Sequence, residues 1–211
     1  MENNFIISIG RQIGAGGLDT AHRLSEEFGI KVYDKELLQE VARQSGLAPE
    51  FFEKKDEKAS RGRLGALSSF RSLLGGGSRT ATDSVMTEEG LFKVQSDVMR
   101  NIAQTESCVI VGRCADYILR DHPRMITVFI SASLESRIKR IMDGRGLDEE
   151  AARRYIEQGD KKRAEYYNYF TFKKWGDSSS YNLCIDSSRL GDDIGKVVEI
   201  IKLYMKQINL I

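Results

Sequence analysis

The stretch IISIGRQIGAGGLDTA, Ile6 to Ala21, places Gly14, Gly16 and Gly17 close to Arg11 and Asp19. Glycine admits positive φ and lets phosphate oxygens come near the backbone. A turn of this kind can aim its amides at one point and, with the positive end of a following helix, form an anion nest. The competing reading is a tight structural turn. The common motif G-x-x-x-x-G-K-[ST] is not met. Gly17 stands where the lysine would be, and Leu18 cannot bind magnesium. Gly14, Ala15, Gly16, Gly17, Leu18 and Asp19 are the candidate phosphate-contacting residues, and Asp19 is the candidate metal ligand. Arg11 lies three residues before Gly14. It can fold over the loop and replace the lost charge, or it can brace the loop through carbonyl contacts.

Other cations stand at suggestive places. Arg113 follows the apolar run CVIV, at the carboxyl edge where open α/β sheets bind ligands; its plain alternative is a surface ion pair. In GDKKRAEYY, Lys161, Lys162 and Arg163 fan around a helix, whereas Asp160 and Arg163 are three apart and share a face. Arg137 and Arg140 are also three apart, facing a lid, donor phosphates or only solvent. Charged runs of this type are commonly solvated faces. Cys108, Cys114 and Cys184 sit in or beside apolar runs and read as reduced core thiols. With two histidines they offer no zinc spacing.

The elements that must position these residues follow from periodicity. Strands are expected at 5–9, 30–33, 107–113, 125–131 and 181–188. Helices are expected at 18–28, 35–46, 49–58, 83–104, 115–121, 133–145 and 192–208. A long charged helix over 147–175 is interrupted at Gly159 in one reading. Asp34 is suited to cap the helix that follows it. Residues 59–82, rich in Gly and Ser with four arginines and no acid, read as a surface loop or as a cover that orders on an anion. The alternation of strands and helices predicts one three-layer α/β domain with about five mainly parallel strands.

The totals fit a single core. Net charge is +1, from 32 basic and 31 acidic residues, which gives no reason to expect nucleic acid or a membrane surface as partner. The N-terminus lacks a basic segment and a long apolar run, so no signal peptide is expected. A cytoplasmic protein is the expectation. Tyr166, Tyr167, Tyr169, Phe170, Phe172 and Trp175 form an aromatic segment, read as packing or a homodimer contact, with base stacking the less favoured use.

Two families compete for these motifs. Gly10, Gly14 and Gly16, with Tyr169-x-x-x-Lys173, have the spacing of short-chain dehydrogenase/reductases. Only 38 residues follow Lys173, too few for the substrate-binding part that family places after its pair. The chain more closely resembles the cytidylate kinase-like family of P-loop proteins. RQIGAGG, YDKELL, DEK at 56–58, VGRCADY, DKKRAEYYNYF and YNLCIDSS carry that likeness in order, nearly end to end. Family members commonly lack the loop lysine. Here Leu18 also replaces the arginine that often follows the glycines.

The resemblance implies a P-loop fold with a helical lid over about 143–176. It implies a kinase moving the γ-phosphoryl of ATP, with Mg²⁺, onto a CMP- or dCMP-like acceptor. Arg113 would grip the acceptor phosphate, Asp116 would lie near its sugar or base, and Asp34 would orient it. Arg163 would stabilise the transition state, with Lys161 second and Arg11 serving the loop. The alternative is a nucleotide-binding regulatory protein on the same fold with weak or absent chemistry. Gly17, Leu18 and the absence of an acid at Val111 motivate it.

Overall fold

A computed structural model describes residues 4–38 and 88–211. The helix expected over 49–58, the DEK segment, the loop 59–82 and most of the helix after Asp34 lie outside the described residues. Residues 35–38 are helical, directly after Asp34. The chain divides into two compact units, one of residues 1–35 and 99–211, the other of 36–98.

The first unit is built on five strands: β1 Ile6–Arg11, β2 Lys31–Tyr33, β3 Cys108–Val111, β4 Met125–Ser131 and β5 Leu183–Asp186. They form one sheet in the order β2-β3-β1-β4-β5, parallel throughout. Ile7 and Ile9 face a core shared with Leu24, Val109, Val111, Val128, Val198 and Met205. Side chains alternate along a strand, so Ile6 and Ser8 face the other way, and they too are buried. Coverage of both faces is the three-layer arrangement the sequence predicts.

The helices of this unit are α1 Gly17–Phe28, α3 Ala115–Ile118, α4 Leu134–Arg145, α5 Glu149–Thr171 and α6 Ile194–Gln207, with the end of α2 Glu88–Thr105. Ser133 caps α4 by accepting from the Ser136 amide at 3.2 Å, and Asp148 caps α5 from the Ala151 amide at 2.7 Å. α4 and α5 share a small core of Ile138, Ile141, Ala152 and Ile156. In the second unit, the part of α2 before Met99 carries a Ser96 hydroxyl bonded to the Phe92 carbonyl at 2.7 Å.

Two expectations are corrected. α5 runs unbroken through Gly159. Glycine is there because a Cβ would lie 2.8 Å from Ile13 Cγ1, and not because the helix stops. Cys184 is exposed, unlike Cys108 and Cys114. It lies on the outermost strand, whose side chains alternate between core and solvent.

Candidate functional site

The glycine loop leaves β1 at the centre of the sheet. The chain runs from β1 to β2 on one side and later reaches β4 on the other. Crevices at such reversals, outside the carboxyl ends of strands, are where open α/β sheets take ligands. Gly14 and Gly16 have φ of 77° and 80°, and Gly16 is the N-cap of α1. Thr20 closes the first helical bond to the Gly16 carbonyl at 2.9 Å and adds a second from its hydroxyl, also 2.9 Å. Among the described residues, the amides of Gly14, Gly16, Gly17, Leu18 and Asp19 meet no acceptor. They are the unsatisfied donors of a helix N-terminus joined to those of a turn. Leu18 and Asp19 are exposed on the first turn.

The carbonyls of the loop are held. Arg163 Nη1 donates to the Arg11 carbonyl at 2.8 Å, and Arg140 Nη1 to the Gly14 carbonyl at 3.0 Å. The Ser187 hydroxyl donates to the Ala15 carbonyl at 3.1 Å. The Gln12 carbonyl takes the Ala15 amide at 3.4 Å. The amide of Ile13 donates to Asp160 Oδ1 at 2.8 Å, while Asp160 Oδ2 accepts from Arg137 at 2.6 Å. Ile13 itself packs on the α4–α5 core. Helix α5 is thus fastened to the loop through Gly159, Asp160 and Arg163. Burial pulls the Arg163 guanidinium below its usual range, an effect the nearby Asp160 charge opposes.

Arg11, the last residue of β1, runs its stem across Gly17 and brings its guanidinium against Gly112. The chain turns sharply there. Gly112, Arg113 and Cys114 all have positive φ, of 74°, 55° and 59°. Such a run in non-glycine residues carries backbone strain of the kind found at functional sites. Arg113 lies over the Tyr166 ring, 4.8 Å from its centroid. Asp116, at the start of α3, accepts from the Tyr167 hydroxyl at 2.6 Å. Burial raises its carboxyl, against the Tyr167 hydrogen bond that lowers it. The Cys114 thiol is pushed up to about 12 by burial, so it stays protonated at neutral pH.

The structure therefore gathers Arg11, Gly14–Asp19 and Arg163 around one loop. It sets Arg113 and Asp116 at the neighbouring strand end, with Asp34 half-buried after β2. Lys161 stands apart: its side chain is 77% exposed, and its ammonium lies 4.0 Å from Glu165. The aromatic segment divides. Tyr167 is buried, Trp175 packs edge-on against Phe129, and Phe172 is exposed. Sequence reasoning missed the bracing by Asp160 and Ser187. The sharing of one helix face by Asp160 and Arg163 was the available signal for the first; nothing local marks Ser187. A cavity of about 630 Å³ between α4 and α5 is lined by Leu134, Ile138 and Met142 together with charged residues of both signs, among them Lys139 and Glu149. Among the described residues no three His, Cys, Asp or Glu side chains group to hold a metal, and no helix is long and apolar enough to cross a membrane.

A family model described as the cytidylate kinase-like family matches residues 6–189, spanning the loop, the β3 turn and α5. The chain belongs to this family. Among relatives, a cytidylate kinase of Methanopyrus kandleri is 27% identical over 197 residues, covering 89% of this chain and 87% of that protein. A solved structure of an uncharacterized protein from Eubacterium ventriosum is 30% identical, with a TM-score of 0.70 over 97% of this chain and 99% of its own. A sugar kinase from Janibacter sp. has a TM-score of 0.50 at 13% identity, covering 96% of this chain and 95% of its own, a likeness of fold alone. For this member of the cytidylate kinase-like family, the usual loop lysine is absent and arginines surround the loop instead.

Proposed function

We propose that this cytidylate kinase-like protein is a nucleotide phosphotransferase, moving the γ-phosphoryl of ATP to a nucleoside monophosphate, with CMP or dCMP as the first acceptor. The observation that carries this reading is the fan of open amides at Gly14 and Gly16–Asp19, edged by Arg11, Arg140 and Arg163. Family membership and the likeness to the Methanopyrus kandleri cytidylate kinase support the general class.

Phosphoryl transfer needs alignment and cations more than covalent help. An acceptor phosphate oxygen attacks the γ-phosphorus, the bond from that phosphorus to the β–γ bridging oxygen breaks, and ADP leaves with the charge. In this reading the loop amides hold the donor phosphates. Arg113 holds the acceptor phosphate, Asp116 its sugar or base, and Asp34 orients it. A guanidinium has five N–H donors, so Arg163 retains several beyond the one spent on the Arg11 carbonyl. It is assigned the charge that spreads over the transferring group, with Lys161 in a lesser role. Magnesium keeps several waters and takes phosphate ligands, so one carboxylate such as Asp19 suits it; bound, it would supply charge neutralisation. Helix α5 would exclude water that otherwise hydrolyses ATP.

The test is diphosphate formation from Mg-ATP with CMP, dCMP, UMP, AMP and GMP in turn. Product is expected with CMP or dCMP fastest; no product from any acceptor overturns the reading. Arg163→Ala should lower turnover about 100-fold or more while ATP affinity changes little, and Lys161→Ala should cost under about threefold. Equal loss of turnover and affinity in Arg163→Ala would contradict its role.

A second reading is favoured by Gly17 and Leu18, which lack both lysine and hydroxyl. It makes the protein a nucleotide sensor on the same fold. Stabilisation against heat by ATP or CTP without turnover would support it.

A further inference from the structure

Gly16 occupies the place of the second glycine in G-x-x-x-x-G-K-[ST]. Arg11 then stands at the first glycine and Gly17 at the lysine. Two of the three departures from G-x-x-x-x-G-K-[ST], Arg11 and Gly17, lie against one another, Leu18 being the third. A Cβ added to Gly17 would lie 2.5 Å from Arg11 Cβ and 2.7 Å from Arg11 Cγ. No rotamer relieves the first contact, because Cβ positions are set by the backbone. Gly17 is not among the positive-φ glycines, unlike Gly14 and Gly16. It opens α1 with helical geometry, so its backbone makes no demand for glycine. Space is the demand, and Arg11 fills it.

The direction of the stem matters as much as its bulk. Beyond Gly17 the guanidinium reaches the β3 turn, where its Nη1 comes within 2.1 Å of the point a Gly112 Cβ would occupy. The Gly112 amide is itself bonded to the Ile9 carbonyl at 3.0 Å, so this is the joint between the carboxyl ends of β1 and β3. Arg113 follows Gly112 directly in the chain. The backbone of Arg11 is fixed by Arg163 on its carbonyl.

We propose that the loop carries its phosphate-binding cation at the opposite end from the common motif, with Arg11 acting from β1 in place of a lysine at 17. Residues 11 and 17 then exclude one another's side chains. Arginine at 11 requires glycine at 17, and a lysine at 17 requires glycine at 11. The guanidinium, lying against Gly112, would meet the phosphates from the β1–β3 side of the loop. This rests on the reading of the loop as a polyphosphate site.

The experiment is a double-mutant cycle on the full chain: Arg11→Gly, Gly17→Lys and the pair together, which restores G-x-x-x-x-G-K over residues 11–17. Affinity is measured for Mg-ATP and for inorganic tripolyphosphate, with melting temperature of each free protein. Each single variant should bind about tenfold more weakly or worse, and the pair should return to within about threefold of the parent. A pair that binds no better than the weaker single variant overturns the proposal, as does Gly17→Lys binding as tightly as the parent. If Arg11→Gly does not fold, Arg11→Met keeps the stem and removes the charge. It should melt like the parent yet lose about tenfold in affinity, with Arg11→Lys recovering part of it. Parent-like binding by Arg11→Met defeats this inference alone. A parent protein that binds neither ATP nor tripolyphosphate defeats it together with the kinase reading.

Discussion

Asp116 keeps a carboxylate partly out of water with one hydroxyl partner, Tyr167 at 2.6 Å. Its proton affinity in the folded chain lies above the ordinary value of 3.8, mainly through burial. Below about pH 4 the group is protonated folded or unfolded, and burial costs little. As pH rises through the raised value the folded chain must ionise a group that prefers to stay neutral, so stability is lost. Asp116→Asn retains an acceptor for Tyr167 and removes the charge. Its melting temperature relative to the parent should climb between about pH 4 and pH 7, while diphosphate formation falls. A constant difference across that range would deny the buried-charge account. A carboxylate kept at a stability cost beside the strained Arg113 turn is in keeping with acceptor binding.

At the scale of elements, α5 decides how the loop is held. Gly159→Ala should gain about 1 kcal/mol of helix propensity, yet its methyl would press on Ile13 at 2.8 Å. Loss of stability is expected in the parent and gain in an Ile13→Ala background. Denaturant melts of the four proteins read this directly, and a gain in both backgrounds would remove the packing role. The same helix shows what sequence can and cannot convey. β4 was legible at 125–131 because the six consecutive apolar or β-prone residues Met125 to Ile130 have few other uses. Gly14, Gly16 and the strand before them were legible because the turn is local. Gly159 offered a break in one of two readings because propensity is local while Ile13 is not. Asp160 binds the Ile13 amide across 147 positions of chain, and no local pattern announces such a partner. Arg163 stood out as a cation beside Asp160, and its role came through family likeness, but its bond to the Arg11 carbonyl could be foreseen from neither.

In the first unit, the core reaches from Met205, near the end of α6, to Ala15 of the glycine loop. Met205 on α6 is fully buried in the core that also holds Leu24 of α1. Met205→Ala should cost about 3 kcal/mol and leave ATP affinity of the folded protein within about twofold, by calorimetry at low temperature. A tenfold loss of affinity would show that packing at Met205 is felt at the loop, which α6 already touches through Ile194 beside Gly16. The parallel order of the sheet was predictable from alternating elements, whereas the reach of α4, α5 and Ser187 back to the first loop was not. That reach has an electrical outcome. The oxygens of Arg11, Gly14 and Ala15 are each tethered by a group from a different later segment: α5, α4 and the turn after β5. Peptide planes anchored in this way cannot swing to offer a lone pair inward. With those oxygens spent inside the protein, the loop turns toward solvent the amide hydrogens of Gly14 and Gly16–Asp19, with the Asp19 carboxylate beside them.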